Sequence, residues 1–263
     1  MVTIDHESCI GCGLCVSDCP ANNLTLQNGK ATVRKSCIQC GHCVAICPTD
    51  SVAIPEYDME DITEFEPDTF KLDPQTVLNA VKFRRSTRHY QDRPIEHGKL
   101  EQILQVGRYT ATAVNHQDVR FVVVTERLPE FKKLIWNFWQ QKRDELRKKD
   151  DPQAQWYAAM YRAYEKRPER DPLFFGAPAF LAVAANVPLD GGLAAANMET
   201  TAVAQGLGVL FSGMIERAVE DCPEAQKWLE LGEKQITACM LIGYPKHVYR
   251  RTAPRRSGDI LWK

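Results

Sequence analysis

The chain has 263 residues and a formal net charge of −1, from 33 Lys and Arg against 34 Asp and Glu. This balance gives no bulk attraction to nucleic acid or to a membrane surface, and we expect neither as a partner. The length allows one small and one medium domain, each with its own core. Ten cysteines without an apolar leader at the N-terminus indicate metal ligation in a reducing compartment, which predicts a cytoplasmic protein.

Two cysteine runs open the chain, at residues 9–20 and 37–48. They match at eight of twelve positions, with a fixed offset of 28 residues. Each is the C-x2-C-x2-C-x3-C-P run of bacterial iron–sulfur proteins, so the sequence predicts clusters that carry single electrons. The alternative is a pair of zinc sites, but zinc usually takes cysteine pairs that are separated by longer loops.

Between the two runs, residues 24–33 predict a β-hairpin, because two short strand-forming segments flank an Asn-Gly turn. Residues 1–55 resemble a bacterial 2[4Fe–4S] ferredoxin. In such ferredoxins the fourth cysteine of each run serves the other cluster. The resemblance implies one cluster on Cys9, Cys12, Cys15 and Cys47, and a second on Cys37, Cys40, Cys43 and Cys19.

Residues 56–73 predict an acidic linker between two domains. Eight acids stand here against one lysine, with prolines in or beside the segment. This composition is typical of an extended, solvated tether, although the charge could also dock a basic patch. The last twenty residues have the opposite bias, with six bases against Asp259.

From Pro74 the pattern mixes helices and strands, which predicts an α+β or α/β domain around one sheet over residues 74–263. The apolar stretch 177–187 is too short to cross a bilayer and suits a buried strand. The first predicted helix begins at residue 74, and further helices are predicted at 96–109, 194–206 and 218–231. Residues 129–166 are predicted to form two long helices. Two further strands are predicted at 121–124 and 236–242.

Two basic clusters, far apart in sequence, predict a phosphate site. Arg84, Ser86 and Arg88 alternate, so they point the same way in extended backbone, while Arg251 and Arg255 follow the last strand. Guanidinium forks and a hydroxyl are suitable phosphate donors. By itself, the group Arg84, Ser86 and Arg88 is also typical of a solvated helix end.

The second domain resembles the nitroreductase family of FMN flavoproteins. The residues that carry this resemblance are Arg-Arg-Ser-Thr-Arg at 84–88, Asn-His-Gln at 115–117, Gly-Leu-Gly at 206–208, Ser-Gly at 212–213, and Gly-Tyr-Pro at 243–245. The resemblance implies an FMN-binding α/β sandwich. One departure is that Asp118 and Val119 stand where the family usually has Pro-Trp.

The resemblance also implies roles for individual residues. Arg84, Ser86 and Arg88 would bind the FMN phosphate and ribityl chain, and Arg251 or Arg255 would complete the phosphate site. Asn115, with Gln117 beside it, would bond the polar edge of the flavin ring. Backbone N–H groups at Ser212 and Gly213 would approach flavin N5. His116 is the candidate catalytic residue, as a proton donor.

No Gly-x-Gly-x-x-Gly follows a strand, so we expect no Rossmann nucleotide site. Relatives bind NAD(P)H by stacking it on the flavin, so NAD(P)H remains a candidate co-substrate, and a ferredoxin or flavodoxin is the other candidate donor. The family also implies a homodimer with FMN at the interface. The small-residue helix predicted at 194–206 suits a buried dimer core or a monomer core equally well.

Together these features predict an oxidoreductase that passes electrons between two [4Fe–4S] clusters and FMN to reduce a small electron-poor acceptor. Nitroaromatics, quinones and activated alkenes fit that description. The alternatives are a dehalogenase-like or flavin-destroying enzyme on the same fold, an electron-transfer relay to a partner protein, and a redox-sensing module. Cys222, Cys239 and the aromatic residues of 129–166 are interpreted as packing residues.

Overall fold

The structure is a computed structural model that describes residues 1–68 and 70–263, in two compact units. The N-terminal unit comprises Met1–Lys71 and Thr112–His116. The C-terminal unit comprises Leu72–Ala111 and Gln117–Lys263. The domain limits at 55 and 73 stay a prediction, and residue 69 of the predicted linker lies outside the described residues.

The N-terminal unit contains four short strands and two single-turn helices. Antiparallel pairs join β1 (Thr3–Ile4) to β4 (Val52–Ala53) and β2 (Leu24–Gln27) to β3 (Lys30–Val33). Asn28 and Gly29 both have positive φ, 50° and 74°, which is the geometry of a two-residue hairpin turn. The predicted hairpin is therefore confirmed.

The 28-residue repeat of the sequence is also a structural repeat. Helix α1 (Leu14–Ser17) and helix α2 (His42–Ala45) each follow a left-handed glycine, Gly13 at φ 78° and Gly41 at φ 77°. Each helix carries the third cysteine of its run, and both of these cysteines are buried. The two runs thus fold into two equivalent turns.

The C-terminal unit is built around a four-stranded antiparallel sheet in the order β5-β6-β8-β7. Its strands are β5 (Arg120–Val124), β6 (Ala179–Ala185), β7 (Gly208–Phe211) and β8 (Gln235–Gly243). The strands predicted at 121–124, 177–187 and 236–242 are confirmed. Every residue of β6 is buried, which explains the unbroken apolar run.

Helices cover both faces of this sheet. Along β6, Phe180, Ala182 and Ala184 belong to one hydrophobic core, and Leu181 and Val183 belong to another. This alternation makes a helix–sheet–helix sandwich, as predicted. The helices are α3 (Pro74–Phe83), α4 (His97–Arg108), α5 (Leu128–Lys148), α6 (Gln153–Lys166), α7 (Pro188–Ala204), α8 (Gly213–Asp221) and α9 (Pro223–Trp228).

Two predicted helices need correction. The helix expected at 194–206 begins at Pro188, because proline fits the first turn, where no N–H is needed. The helix expected at 218–231 is two helices, since Pro223 starts α9 directly after Cys222. Strand β7 was not predicted. It begins two residues after Gly206, which has a φ of 77° just beyond the end of α7.

Of the helices that the structure describes, none has both the length and the apolar character that crossing a lipid bilayer requires. The longest, α5, carries charged residues along its exposed side.

Candidate functional site

Four cysteines line a first cavity in the N-terminal unit. The turn around α1 supplies three of them, and Cys47 comes from the end of the second run. Thr49 and Ser51 also line this cavity. The four cysteines are Cys9, Cys12, Cys15 and Cys47, which is the set that the predicted crossed ligation requires.

A second cavity has the reciprocal composition. Three cysteines come from the turn around α2, and Cys19 comes from the end of the first run. Asn23 and His42 are among its other lining residues. The four cysteines are Cys19, Cys37, Cys40 and Cys43. Among the described residues, no three Cys, His, Asp or Glu side chains converge as a single metal ion would need.

Backbone N–H groups point at the cysteine sulfurs. Asn23 N lies 3.2 Å from Cys19 Sγ, Gln39 N lies 3.2 Å from Cys37 Sγ, and Ser51 N lies 3.3 Å from Cys47 Sγ. Such donors stabilise a ligating thiolate and tune the potential of an iron–sulfur cluster. The donor set of both cavities therefore fits [4Fe–4S] clusters.

The turn before α1 depends on a glycine. A Cβ on Gly11 would come within 1.9 Å of the carbonyl oxygen of Gly29, in the hairpin turn. Its φ of 69° is also in the left-handed region. Only glycine allows the hairpin to lie this close to the first cysteine run.

The thiols of the two cavities differ in acidity. Burial raises the pKa of Cys43 to about 11, and burial also raises the pKa of Cys15. Burial acts in the same direction on Cys47, but N–H groups of Thr49 and Ser51 outweigh it and lower the pKa of this thiol. Ligation requires the thiolate, so loading of the buried cysteines releases protons.

The segment Thr112–His116 belongs to the N-terminal unit, although its sequence neighbours belong to the other. Asn115 Nδ2 donates to the carbonyl oxygens of Ile38 and Gln39, at 3.1 and 2.8 Å. These carbonyls lie between Cys37 and Cys40. The amide thus fastens a loop of the second cavity, and the role of Asn115 at the flavin ring stays a prediction. His116 lies in the same segment, and its catalytic role is equally untested.

In the C-terminal unit, residues 84–88, which we call the basic segment, run along the edge of the sheet. Ser86 forms a parallel bridge with Val209 of β7, and Thr87 N donates to Val209 O at 3.0 Å. A Cβ on Gly208 would meet Thr87 Oγ1 at 2.3 Å, so glycine is required for this approach. Backbone contacts hold the basic segment at this edge, and the side chains of Ser86 and Arg88 are exposed.

The three predicted phosphate donors differ in exposure. Ser86 and Arg88 are exposed, and the Arg88 guanidinium lies 6.0 Å from the Phe175 ring centroid. Arg84 pairs with Glu199 of α7 at 3.2 Å. Burial raises the pKa of Glu199, and the charge of Arg84 only partly offsets this. The pairing of Arg84 with Glu199 was not predicted from the sequence. The feature that could have indicated it is the presence of an acidic residue in a helix of mostly small residues.

The register brings the Ser212–Gly213 turn to the same edge of the sheet. Ser86 pairs with Val209 of β7, and this strand ends at Phe211, directly before the turn. Ser212 is buried, and its Oγ caps α8 by accepting from Ile215 N at 3.4 Å. A Cβ on Gly213 would meet nothing within 4 Å. The structure therefore places two predicted flavin-binding segments side by side.

The remaining predicted residues are not brought to this edge by any described contact. Gln117 has a φ of 50° at the point where the chain re-enters the C-terminal unit. Arg251 and Arg255 are exposed in the tail that follows β8, where the structure describes no helix or strand. Their role at the phosphate stays a prediction.

The aromatic residues of α5 and α6 pack against one another, as expected. Trp136 stacks on Tyr164 with ring centroids 4.3 Å apart, and Trp139 contacts Tyr157 at 4.6 Å. Both tryptophans are buried in the core. Cys222 and Cys239 are also buried, which confirms their interpretation as packing residues.

The sheet with helices on both faces defines an α/β sandwich, and comparison with known families assigns it. A model described as the nitroreductase family matches residues 81–244, more than half of the chain. The chain therefore belongs to the nitroreductase family, whose members are oxidoreductases. A second model, described as a 4Fe–4S dicluster domain, matches residues 1–48.

Solved structures show the same fold. A nitroreductase with bound FMN from Bacteroides fragilis is similar at a TM-score of 0.55 and 21% identity, covering 71% of this chain and 98% of that one. A BluB-like flavoprotein from Clostridium difficile is similar at 0.53 and 17% identity, covering 71% and 96%. A nitroreductase with bound FMN from Desulfitobacterium hafniense scores 0.51 at 20% identity, covering 71% and 97%.

The N-terminal unit also has a curated relative. Ferredoxin-2 of Desulfomicrobium norvegicum is 57% identical over 30 residues, which are 11% of this chain and 51% of the relative. The part of the chain that matches thus covers about half the length of that ferredoxin.

Proposed function

We propose that the chain is an FMN- and iron–sulfur-dependent oxidoreductase that passes electrons between two [4Fe–4S] clusters and FMN to reduce a small electron-poor acceptor. The observation that carries this proposal is the presence, in one chain, of two four-cysteine cavities and a nitroreductase-family sandwich. Nitroaromatics, quinones and activated alkenes are the acceptor classes that we expect.

The cluster ligands follow from the two cavities. Each cavity takes three thiolates from one run and the fourth from the other run, so each cluster holds the two runs together. The N–H groups at Asn23, Gln39 and Ser51 offset part of the negative charge on the sulfurs. The clusters supply one-electron steps, and the cysteines bind and orient them.

The FMN phosphate is bound by the basic segment. Arg84, Ser86 and Arg88 offer two guanidinium groups and a hydroxyl along one edge of the sheet. Glu199 holds Arg84 in place by its ion pair. The backbone N–H groups of the Ser212–Gly213 turn, which follows β7, would orient the flavin ring. Bound FMN supplies chemistry that accepts electrons singly or in pairs.

The loop of the second cavity is bonded to a segment that precedes part of the C-terminal unit in sequence. The Asn115 amide is bonded to the loop between Cys37 and Cys40, and two residues later the chain enters the C-terminal unit. Asn115 therefore fastens the second cluster's loop to the segment that leads into β5. NAD(P)H and a reduced ferredoxin or flavodoxin remain the candidate donors, in a cytoplasmic setting.

A second copy of the chain is the expected partner. Helix α3 packs against α7, and both expose apolar side chains, including Val77, Val81 and Leu193. Two adjacent apolar helix faces on one surface favour a homodimer. Leu193→Asp should shift the mass in solution to that of a monomer, whereas Lys148→Asp, at an exposed position of α5, should leave it unchanged. A monomeric wild-type protein would contradict the dimer.

The function is tested by an anaerobic absorbance titration of the loaded protein with NADH, NADPH and a reduced ferredoxin. We expect reduced ferredoxin to bleach the flavin band and a nitroaromatic or quinone to restore it. In a Cys9→Ala/Cys37→Ala variant, ferredoxin-driven bleaching should be lost while FMN content is kept. Equal bleaching in the variant would show that the clusters are not on the electron path. A reduced flavin that no small acceptor reoxidises would favour a relay to a partner protein.

A further inference from the structure

Asn23 is a buried amide beside the second cavity. Its side chain is 1% exposed, and the residue lines the cavity together with Cys19 and Cys37. Asn23 is four residues beyond Cys19, and its own N–H donates to Cys19 Sγ at 3.2 Å. The backbone is therefore already directed at the ligand sphere.

The orientation of the Asn23 amide is fixed by its oxygen. Asn23 Oδ1 accepts from Lys35 N at 2.7 Å, and this bond can be made only by the oxygen. Asn23 Nδ2 is buried and has no partner among the described residues. A buried amide N–H without an acceptor destabilises the folded chain, so a buried donor of this kind indicates an acceptor that is part of the loaded protein.

The repeat provides a comparison for Asn23. With the offset of 28 residues, the equivalent of Asn23 is Ser51, which lines the first cavity. Ser51 N donates to Cys47 Sγ at 3.3 Å, just as Asn23 N does to Cys19. The Ser51 hydroxyl is already paired with Thr49 Oγ1 at 2.7 Å. The two sites thus share the backbone donor and differ in their side chains. In the first cavity Thr49 Oγ1 lies 3.8 Å from Cys47 Sγ. In the second, the buried Asn23 Nδ2 is without a partner among the described residues.

We propose that Asn23 Nδ2 donates a hydrogen bond to a sulfur of the cluster in the second cavity, and that this bond raises the reduction potential of that cluster. The inference rests on the proposed function, because it requires a [4Fe–4S] cluster in this cavity. Hydrogen bonds to cluster sulfurs stabilise the reduced, more negative state and raise the potential. Loss of the Asn23 donor should therefore make the second cluster harder to reduce.

The test is a potentiometric titration of the loaded protein followed by electron paramagnetic resonance. Asn23→Asp keeps an oxygen for Lys35 N but removes the donor and adds negative charge. We expect one of the two midpoint potentials to fall, by about 59 mV for each tenfold loss in the ratio of reduced to oxidised cluster. Asn79→Asp, which makes the same change at an exposed position of α3, should leave both potentials near their wild-type values.

A second measurement tests the inference if the Asn23→Asp variant does not bind its iron–sulfur clusters. Wild-type protein labelled with ¹⁵N on its asparagine side chains should show a ¹⁵N coupling to a reduced cluster in pulsed resonance spectra. Unchanged potentials in Asn23→Asp, or no ¹⁵N coupling in the wild type, would overturn the inference and leave an ordered water as the partner of Nδ2. Absence of any cluster signal in the wild type would instead overturn the proposed function.

Discussion

The two units build their sites in opposite ways. In the N-terminal unit, six of the eight cysteines that line the two cavities lie in two short turns. The fourth cysteine of each cavity comes from the other run. In the C-terminal unit, the proposed phosphate site depends on the contact of the basic segment with β7, which lies more than a hundred residues later in the chain. Local spacing defines the first kind of site, and tertiary contacts define the second. Substitutions should therefore act locally in one unit and through packing in the other.

The largest expected effect is the loss of one cluster. Cys19→Ala removes the fourth ligand of the second cavity, and Cys47→Ala that of the first. With the crossed ligation that we propose, each change should cost about half of the bound iron and eliminate the cluster of the other run. Iron analysis and resonance spectra of Cys12→Ala/Cys19→Ala would distinguish crossed from uncrossed ligation, since only crossed ligation loses both clusters. Cys239→Ala, buried in the C-terminal unit, should keep all of its iron.

A smaller effect is expected at the phosphate site. Arg88→Ala should weaken FMN binding about 10- to 100-fold, because a charge-assisted hydrogen bond contributes roughly 1.5–3 kcal/mol. Fluorescence titration of the apoprotein with FMN measures this change. Arg162→Ala removes the same charge from an exposed position on α6 and should have no effect. Equal FMN affinities for the two variants would show that Arg88 of the basic segment does not bind FMN.

Packing at the sheet edge should affect the same affinity indirectly. Gly208→Ala places a Cβ against Thr87, which displaces the basic segment and costs about 1–3 kcal/mol of unfolding free energy. FMN affinity should fall with it, although no FMN-binding side chain has changed. Thermal melts and the FMN titration report both effects. Gly192→Ala, whose Cβ would meet nothing within 4 Å, should be neutral or slightly stabilising.

The smallest expected effect is at Asn115. Asn115→Ala removes two hydrogen bonds to the loop between Cys37 and Cys40, and should cost about 1 kcal/mol. We expect an altered resonance spectrum of the second cluster and an FMN affinity close to wild type. Asn79→Ala, exposed on α3, is the control. A normal cluster spectrum with weakened FMN binding would instead support the flavin-ring role implied by the family resemblance.

Prediction from sequence succeeded where chemistry or burial fixes the pattern. The cysteine spacing, the Asn-Gly hairpin and the fully buried strand β6 were all predictable, since each depends on residues close in sequence. The start of α7 at Pro188 and the break at Cys222–Pro223 were missed, although proline marks both. The ion pair of Arg84 with Glu199 and the position of Asn115 could not be predicted, because each joins segments that only the folded chain brings together.

The central claim is that electrons pass within one molecule between the clusters and FMN. Laser photoreduction of the loaded protein, followed by absorbance at cluster and flavin wavelengths, tests it directly. We predict that the two signals relax together, with a rate constant that does not change when the protein is diluted tenfold, and that this phase disappears in the Cys9→Ala/Cys37→Ala variant. Signals that relax independently, or a rate that falls in proportion to protein concentration, would contradict an internal path.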